Sequence, residues 1–429
     1  MIYNTIKQIK SKEFFYFLKG VNIVLNAVIV GCGARGQVFA EYAKQYPKEM
    51  KVIAIAEKKD FLREKMKNEY GIEDKYIFSD YHDLFSAGKL GDVIFIATQD
   101  NQHIEPALMA LETGYKNIMV EKPIDRDLKK CVMLSKKAEE YGAKLQICHS
   151  LRFSPFYRKM KELIDSGVIG KIKHINQEEG VGYYHYAHSF VRGDWANEDE
   201  TSPMILAKCC HDMDIMLYLL DRHAKEVSSY GENTFFSKKN APEDSCERCI
   251  DCKVRNSCEF DAVRIYVEHP DFATLAVDKE GFLTLEDAMK EGRYGRCVFR
   301  CDNNVVDHQS VNILFDDGTT GTLTMTAFSK EINRETRIFG TKGEIVGNFE
   351  ENVIYVKPFF GDMKTYKAEV IKSGHGGANT VTVTDFLAAA RGEKEMCTPI
   401  NVSIESHAMC EAAELSRKTG KSIKISEIF

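Results

Sequence analysis

A glycine triad placed directly after a short apolar run constrains this chain more than any other feature. "VLNAVIV" (Val24–Val30) leads straight into "GCGARG" (31–36). A short apolar run rich in β-branched residues suits a strand buried on both faces of a parallel sheet. In a Gly-x-Gly-x-x-Gly turn, Gly31 permits the sharp reversal, Gly33 lets backbone amides approach a pyrophosphate, and Gly36 lets helix and strand pack closely. Ala34 and Arg35 complete the loop, Arg35 as a phosphate contact or a solvated charge. The next apolar run, Val52–Ala56, ends on Glu57, where a carboxylate can accept hydrogen bonds from ribose hydroxyls. The same charge repels a ribose phosphate. NAD is therefore the expected cofactor, with NADP left open by the adjacent Lys58 and Lys59.

Strands and helices continue to alternate: "DFLREKMKNEYG", a short strand near Tyr76–Phe78, "DVIFIAT", "IEPALMALETG", "NIMVEKP", "DLKKCVMLSKKAEEYG" and "KLQICHS". Such alternation predicts right-handed βαβ units. After about residue 150 strands follow strands, among them the hairpin "HQSVNILFDDGTTGTLTMTAF", turning near Asp317–Gly318. The expected architecture is an α/β Rossmann-type doubly wound parallel sheet over 22–150. An α+β domain with a large open, mostly antiparallel sheet over 151–429 follows it, carrying a Cys-rich insert around 240–301. "LAKCCHDMD" is read as helical, and residues 1–21 as an N-terminal extension whose apolar stretch Phe14–Leu18 is short for an export signal.

At 429 residues and 44% apolar composition the chain has material for two cores. A net charge of −6 argues against a nucleic-acid partner. No apolar run approaches the roughly 18 residues of a membrane span. Thirteen cysteines, several of them clustered and with no export signal read, point to the cytoplasm. Cys246, Cys249, Cys252 and Cys258 follow a C-x2-C-x2-C-x5-C spacing suited to wrapping thiolates around one ion. Structural zinc ranks first and an iron–sulfur cluster second, since no Pro follows the last Cys; free thiols are the metal-free reading. Cys297 and Cys301 are further candidates.

"VGCGARG", "IATQDNQH" and "VEKP" stand at the ends of three strands of one sheet. With "SLRFSP", "SGVIGKI", "CCHDMDIMLYLL", "FGTKGEI" and "ELSRKTGK", they resemble the Gfo/Idh/MocA family, named for glucose–fructose oxidoreductase, inositol dehydrogenase and a rhizopine-catabolism protein. The resemblance covers nearly everything from Val21 onward. It implies a Rossmann domain, an open-sheet domain and an active site in the cleft between them. It also implies that Ala97 and Thr98 line the cofactor groove with His103 nearby, and that Glu121, Lys122 and Pro123 sit against the nicotinamide ribose.

Oxidising a secondary alcohol needs a base for the hydroxyl proton and a cation for the developing alkoxide. Lys122, at a strand end facing the cofactor cleft, is the first candidate, with a pKa open to lowering by burial. On a continuous helix, Lys208, His211 and Asp214 would share one face as a cation, an imidazole and an orienting carboxylate. Many family members carry an Asp four residues before this His; here Ala207 stands there, so Lys208 is expected to contact substrate. "GYYHYAHSFVRGDW" supplies His185, His188 and Arg192 as a candidate sugar-binding wall. Arg152 is a further substrate-domain candidate, and His375 in "GHGG" lies near a turn. The leading expectation is hydride transfer between a nicotinamide and a secondary hydroxyl of a sugar, inositol or related polyol, in a homo-oligomer built through the C-terminal sheet. A redox-neutral NAD-dependent glycosidase or lyase and a non-catalytic sensor are the alternatives.

Overall fold

A computed structural model describes residues 23–371, 374 and 376–429. The extension expected over 1–21 and His375 lie outside the described residues. β1 (Leu25–Val30), β2 (Met50–Ala56), β3 (Ile77–Phe78), β4 (Val93–Ile96), β5 (Asn117–Val120) and β6 (Lys144–Ile147) form one sheet in the order β3-β2-β1-β4-β5-β6. Every pairing in it is parallel. The strand order reverses between β1 and β4, so a crevice opens beyond their carboxyl ends. β3 is a residue shorter than expected because Asp74–Tyr76 forms a 3-10 turn.

The second sheet has nine strands. In chain order they are β7 (Ile172–Gly180), β8 (Ala224–Glu232), β9 (His308–Phe315), β10 (Thr320–Thr326), β11 (Asn333–Gly340), β12 (Gly343–Asn348), β13 (Val353–Pro358), β14 (Lys364–Tyr366) and β15 (Ile423–Lys424). Their spatial order is β14-β13-β12-β11-β7-β10-β9-β8-β15, antiparallel throughout except for β7 beside β10. Exposure alternates along β9, so one face of the sheet meets the core and the other is solvated. The helices Pro155–Asp165, Cys210–Leu220 and Ile400–Thr419 supply the buried layer.

The chain does not divide cleanly at residue 150. Helix Ala378–Ala390, from the second half, returns to the first sheet, where Phe386 meets Phe95 edge-on at 5.3 Å. Ile147 donates its backbone N–H to Thr398 at 2.9 Å. Helix Ile400–Thr419 then crosses to the second sheet, where Ser416 Oγ accepts from the Ser229 amide at 2.9 Å. One continuous C-terminal segment thus fastens the two sheets together.

The glycine triad makes the fold testable. A methyl at Gly36 would lie 2.0 Å from the Gly31 carbonyl oxygen, whereas one at Gly33 would meet nothing within 4 Å. Gly36→Ala should lower stability by about 1–3 kcal/mol, as overpacking does. Gly33→Ala should leave the urea unfolding midpoint close to that of the parent. Equal midpoints for the two variants would contradict this packing.

Candidate active site

The crevice beyond β1 and β4 is shaped by close backbone approach. Gly31 has φ +87°, and any side chain there would strike the Ala97 carbonyl, 2.5 Å from the first carbon. The ends of β1 and β4 are thereby held together. Gly33 precedes helix Ala34–Gln45, has open space before it and supplies no side-chain cap, so the first amides of that helix remain available to an anion. Glu57, at the end of β2, accepts from the Cys32 amide at 2.7 Å and from the Lys59 amide at 3.0 Å. Its carboxylate is fixed beside the glycine loop. An open anion cradle beside a fixed carboxylate fits a dinucleotide.

Arg35 departs from both sequence expectations. Its Nε donates to Glu121 Oε1 at 2.7 Å, and its other nitrogens reach Asn379 Oδ1 and Cys148 Sγ. In this arrangement it braces the strand end that carries Lys122. Burial alone would raise the Glu121 carboxyl, but the Arg35 guanidinium outweighs burial and holds it below the usual range. His103 is buried, with ring nitrogens 2.7 Å from the Pro123 carbonyl and 3.0 Å from the Thr98 carbonyl. It ties the two strand-end motifs together. Thr98 turns its hydroxyl to the Gln102 carbonyl.

The Lys122–Pro123 peptide is cis. Just after it, the Ile124 amide donates to His407 Nε2 at 2.8 Å, and His407 Nδ1 donates to the Ser403 carbonyl at 3.0 Å. Burial, with His149 acting in the same direction, pushes His407 down to about 3, so the ring stays neutral and can accept that amide. The Lys122 side chain crosses the cleft and donates from Nζ to the Ala207 carbonyl at 2.7 Å.

Ala207 lies at a break that sequence reasoning did not anticipate. The expected single helix is two, Met204–Ala207 and Cys210–Leu220, because Cys209 adopts φ −90° and ψ 2°, outside the helical basin. Lys208 therefore does not share a helical face with His211. It turns to Glu179, with Nζ 3.3 Å from Oε1. Arg334, opposite Glu179 in the β7–β11 pairing, lies 2.8 Å from its other oxygen and 2.9 Å from Asp212 Oδ1. Burial pushes Lys208 down against the pull of Glu179, and the like charges of Arg334 and Lys122 add to the fall.

Other expected substrate contacts are engaged within the protein. Arg152 and Asp214 form a buried bidentate pair, both bonds 2.7 Å, so neither is placed as a free substrate ligand. His149 packs edge-on against His211 at 5.8 Å and against His407 at 5.9 Å, with Nδ1 3.9 Å from Asp214. The expected sugar wall is a helical turn, Tyr183–Tyr186, continued by a π-helical turn, Ala187–Arg192. His188 is buried, stacked on Tyr294 and paired with the Tyr266 hydroxyl at 3.0 Å, while Arg192 points into the insert. Both are interior residues and not wall residues, because the aromatic density that suggested stacking on sugar is used in packing against the insert. His185 is half-buried on the side of Lys208 and Arg334, and burial holds it well below its usual range. Lys122 reaches the helix break and acts electrostatically on Lys208 there, and His211 stands in the first turn of the helix that follows. Glu179, Asp212, Arg334, His149 and His407 were missed: each sits within an apolar or alternating segment, and only the register of β7 on β11 could have flagged Glu179 and Arg334.

Among the described residues no three His, Cys, Asp or Glu side chains converge as metal ligands do, so the expected Cys246–Cys249–Cys252–Cys258 set is not assembled. Cys246 instead donates to the Arg248 carbonyl at 3.0 Å. No described helix is long and apolar enough to cross a membrane.

Residues 25–149 match the model of an oxidoreductase family with an NAD-binding Rossmann fold, and residues 157–346 match the GFO/IDH/MocA C-terminal domain. The Bacillus subtilis protein YteT is 22% identical over 315 residues, 69% of this chain and 72% of that protein. The NAD-dependent scyllo-inositol 2-dehydrogenase of Bacillus subtilis is 29% identical, over 48% of this chain and 57% of that enzyme. Among solved structures, levoglucosan dehydrogenase with NADH and levoglucosan superposes with a TM-score of 0.71 at 17% identity, covering 94% of this chain and 100% of that one. An Agrobacterium radiobacter oxidoreductase in complex with NAD+, L-tartaric acid and magnesium gives 0.70 at 16%, covering 95% and 100%.

The buried imidazoles give the stability a pH dependence. Burial lowers His149 to about 4, against about 6.5 in an unfolded chain. Between those values the unfolded chain binds the extra proton, so stability is complete above about pH 6.5 and falls as pH drops toward 4. Neither ring nitrogen of His149 has a hydrogen-bond partner among the described residues. His149→Phe should therefore flatten the acid limb of urea-measured stability by up to about 1.4 kcal/mol per pH unit, one proton's worth. An unchanged slope would show that His149 is not buried neutral.

Proposed function

The chain belongs to the Gfo/Idh/MocA oxidoreductase family, with an NAD-binding Rossmann domain, and on that premise we propose that it is a dehydrogenase acting on a secondary hydroxyl of a sugar, inositol or related polyol. The observation that carries this reading is the Lys122 side chain, sent from the end of β5 across the cleft to Ala207. It delivers an ammonium from the cofactor side to the turn where Lys208 and His211 lie. NAD, when bound, supplies the hydride acceptor; everything else is the work of side chains.

Lys122 lies where its ammonium can meet the substrate oxygen and steady the charge that develops as the O–H proton leaves. His211 is the candidate acceptor for that proton. Lys208, held against Glu179 and Arg334, orients neighbouring hydroxyls. A buried Arg–carboxylate frame is rigid, which favours one substrate pose over many. Sugar and polyol chemistry is also what the inositol and levoglucosan enzymes named above carry out, and it is the substrate class the cation-lined turn fits. Glu57 favours NAD, because the carboxylate that accepts from a ribose diol repels a ribose phosphate.

Two variants test the assignment. Lys122→Ala should keep near-parental NAD affinity by calorimetry while single-turnover hydride transfer falls by a factor on the order of 10²–10⁴. Hydride transfer at the parental rate would remove Lys122 from the chemistry. Glu57→Ser should weaken NAD binding and narrow the preference over NADP; tighter NADP binding by the parent protein would refute the role given to Glu57. A panel of sugars, glycosides and inositols, followed for both NADH absorbance and product release, identifies the substrate. Sugar release without net NADH would instead indicate a redox-neutral lyase.

A further inference from the structure

The insert carries a helix, Pro270–Glu280, that takes no part in the proposed chemistry. Its C-terminal end lies against the Rossmann half just past β2. Lys59 Nζ donates to the Lys279 carbonyl, and Lys65 Nζ stands 4.0 Å from Asp278 Oδ2. The Phe61 ring is close enough to Gly281 that a methyl there would meet it at 3.4 Å.

From the same helix end a chain of side chains runs to the far side of the glycine loop. Lys279 Nζ donates to Asp194 and lies over the Trp195 ring, 4.8 Å from its centre. Arg293, also from the insert, donates from Nη1 to the other Asp194 oxygen at 2.7 Å. Burial alone would raise the Asp194 carboxyl, but Lys279 and Arg293 hold it below the usual range, so it stays ionised as the central link. Trp195 Nε1 then donates to Asp100 Oδ2 at 2.9 Å, and Ser202 Oγ donates to the same oxygen at 2.6 Å. Asp100 stands just past β4.

The order of the first sheet decides where these contacts pass. β1 lies between β2 and β4, and the glycine loop opens from its end. Contacts anchored past β2 and past β4 must cross beyond the end of β1, over two strand spacings, about 10 Å. A doubly wound sheet takes its ligand in that crevice, here flanked by Glu57 and the first amides of helix Ala34–Gln45. The links are also separable. All but the Phe61 contact are polar, and of the helix's eleven residues only Ala276 is fully buried, so lifting it exposes little apolar surface.

We propose that helix Pro270–Glu280, with Asp194 and Trp195, is a strap over the cofactor groove that must part for a nicotinamide dinucleotide to enter or leave. The proposal concerns nucleotide exchange and does not rest on the identity of the substrate. A strap that obstructs the route without gripping the ligand slows binding and release alike and leaves affinity nearly unchanged. Opening steps of this kind set the turnover of many enzymes.

The test uses NADH and no substrate. Stopped-flow fluorescence gives the association rate on mixing and the dissociation rate on a chase with excess NAD. Lys59→Met/Phe61→Ala unfastens the β2 anchor at two exposed positions, and Asp194→Asn removes the charge that holds Lys279 and Arg293. Each variant should raise both rates by about 3–10-fold, the effect of losing a charge-assisted contact from the closed form, while Kd moves by less than about twofold. The two variants change net charge in opposite directions, so electrostatic steering of an anionic ligand cannot speed association in both. Faster dissociation with unchanged association is the mark of a lost ligand contact and would overturn the proposal. So would parental rates in Lys59→Met/Phe61→Ala, or a parent protein that binds no NADH. Should Asp194→Asn fail to fold, the double variant still decides: having lost a positive charge, it would bind NADH more slowly by steering alone, and only an opened strap makes it faster.

Discussion

The clamp on the Lys122–Pro123–Ile124 turn is the constraint on which the rest of the site depends. His103 holds it on one side through the Pro123 carbonyl, and His407 on the other through the Ile124 amide. The two imidazoles are far apart in the chain, one opening the helix after β4 and the other midway along the C-terminal helix. Each is buried, so its hydrogen bonds are shielded from competing water, and losing one would strand a backbone group in the interior. The turn is therefore held as firmly as the strands it connects. A lysine on an exposed loop would pay side-chain and backbone entropy on meeting substrate; one on this turn has much of its ordering done by folding.

Much of this was legible in the sequence, for reasons that can be named. The Rossmann half announces itself because each glycine of the triad has its own steric or conformational reason, and glycine alone meets the demands at Gly31 and Gly36. The β9–β10 hairpin was legible because two-residue alternation flanks Asp317–Gly318. What could not be read is any relation set by register or by a local deviation. Glu179 and Arg334 pair because β7 lies antiparallel to β11, a fact absent from either segment alone. The break at Cys209 is a matter of one residue's dihedrals inside an apolar, helix-compatible run. "GYYHYAHSFVRGDW" shows the limit of composition: aromatic and basic residues serve a sugar wall or a packed interior equally well, and here the insert covers them.

The charges around the cleft are arranged as closed sets. Arg35 pairs with Glu121, Arg152 with Asp214, and Arg334 pairs with Asp212 and shares Glu179 with Lys208. Buried pairs of this kind contribute little net stability over apolar replacements of the same volume. What they supply is direction, since a bidentate guanidinium fixes both partners in plane. The cleft is thus bordered by groups whose orientation is determined before any substrate arrives.

Lys122 stands outside those closed sets. The family resemblance would place an Asp where this chain has Ala207, and the partner of Lys122 here is the Ala207 backbone carbonyl. A carbonyl offers one hydrogen bond and a dipole, not a full opposite charge. A carboxylate paired with the ammonium would have to be displaced before substrate was met, and breaking such a pair is costly at low dielectric. With only a carbonyl to leave, the ammonium can turn to a substrate oxygen as negative charge develops there, so more of its electrostatic stabilisation is kept for the transition state than for the resting enzyme. In the proposed reaction the ammonium is therefore held by a dipole and not by a full opposite charge, with the Lys208–Glu179–Arg334 set as a separate ion-paired frame beside it.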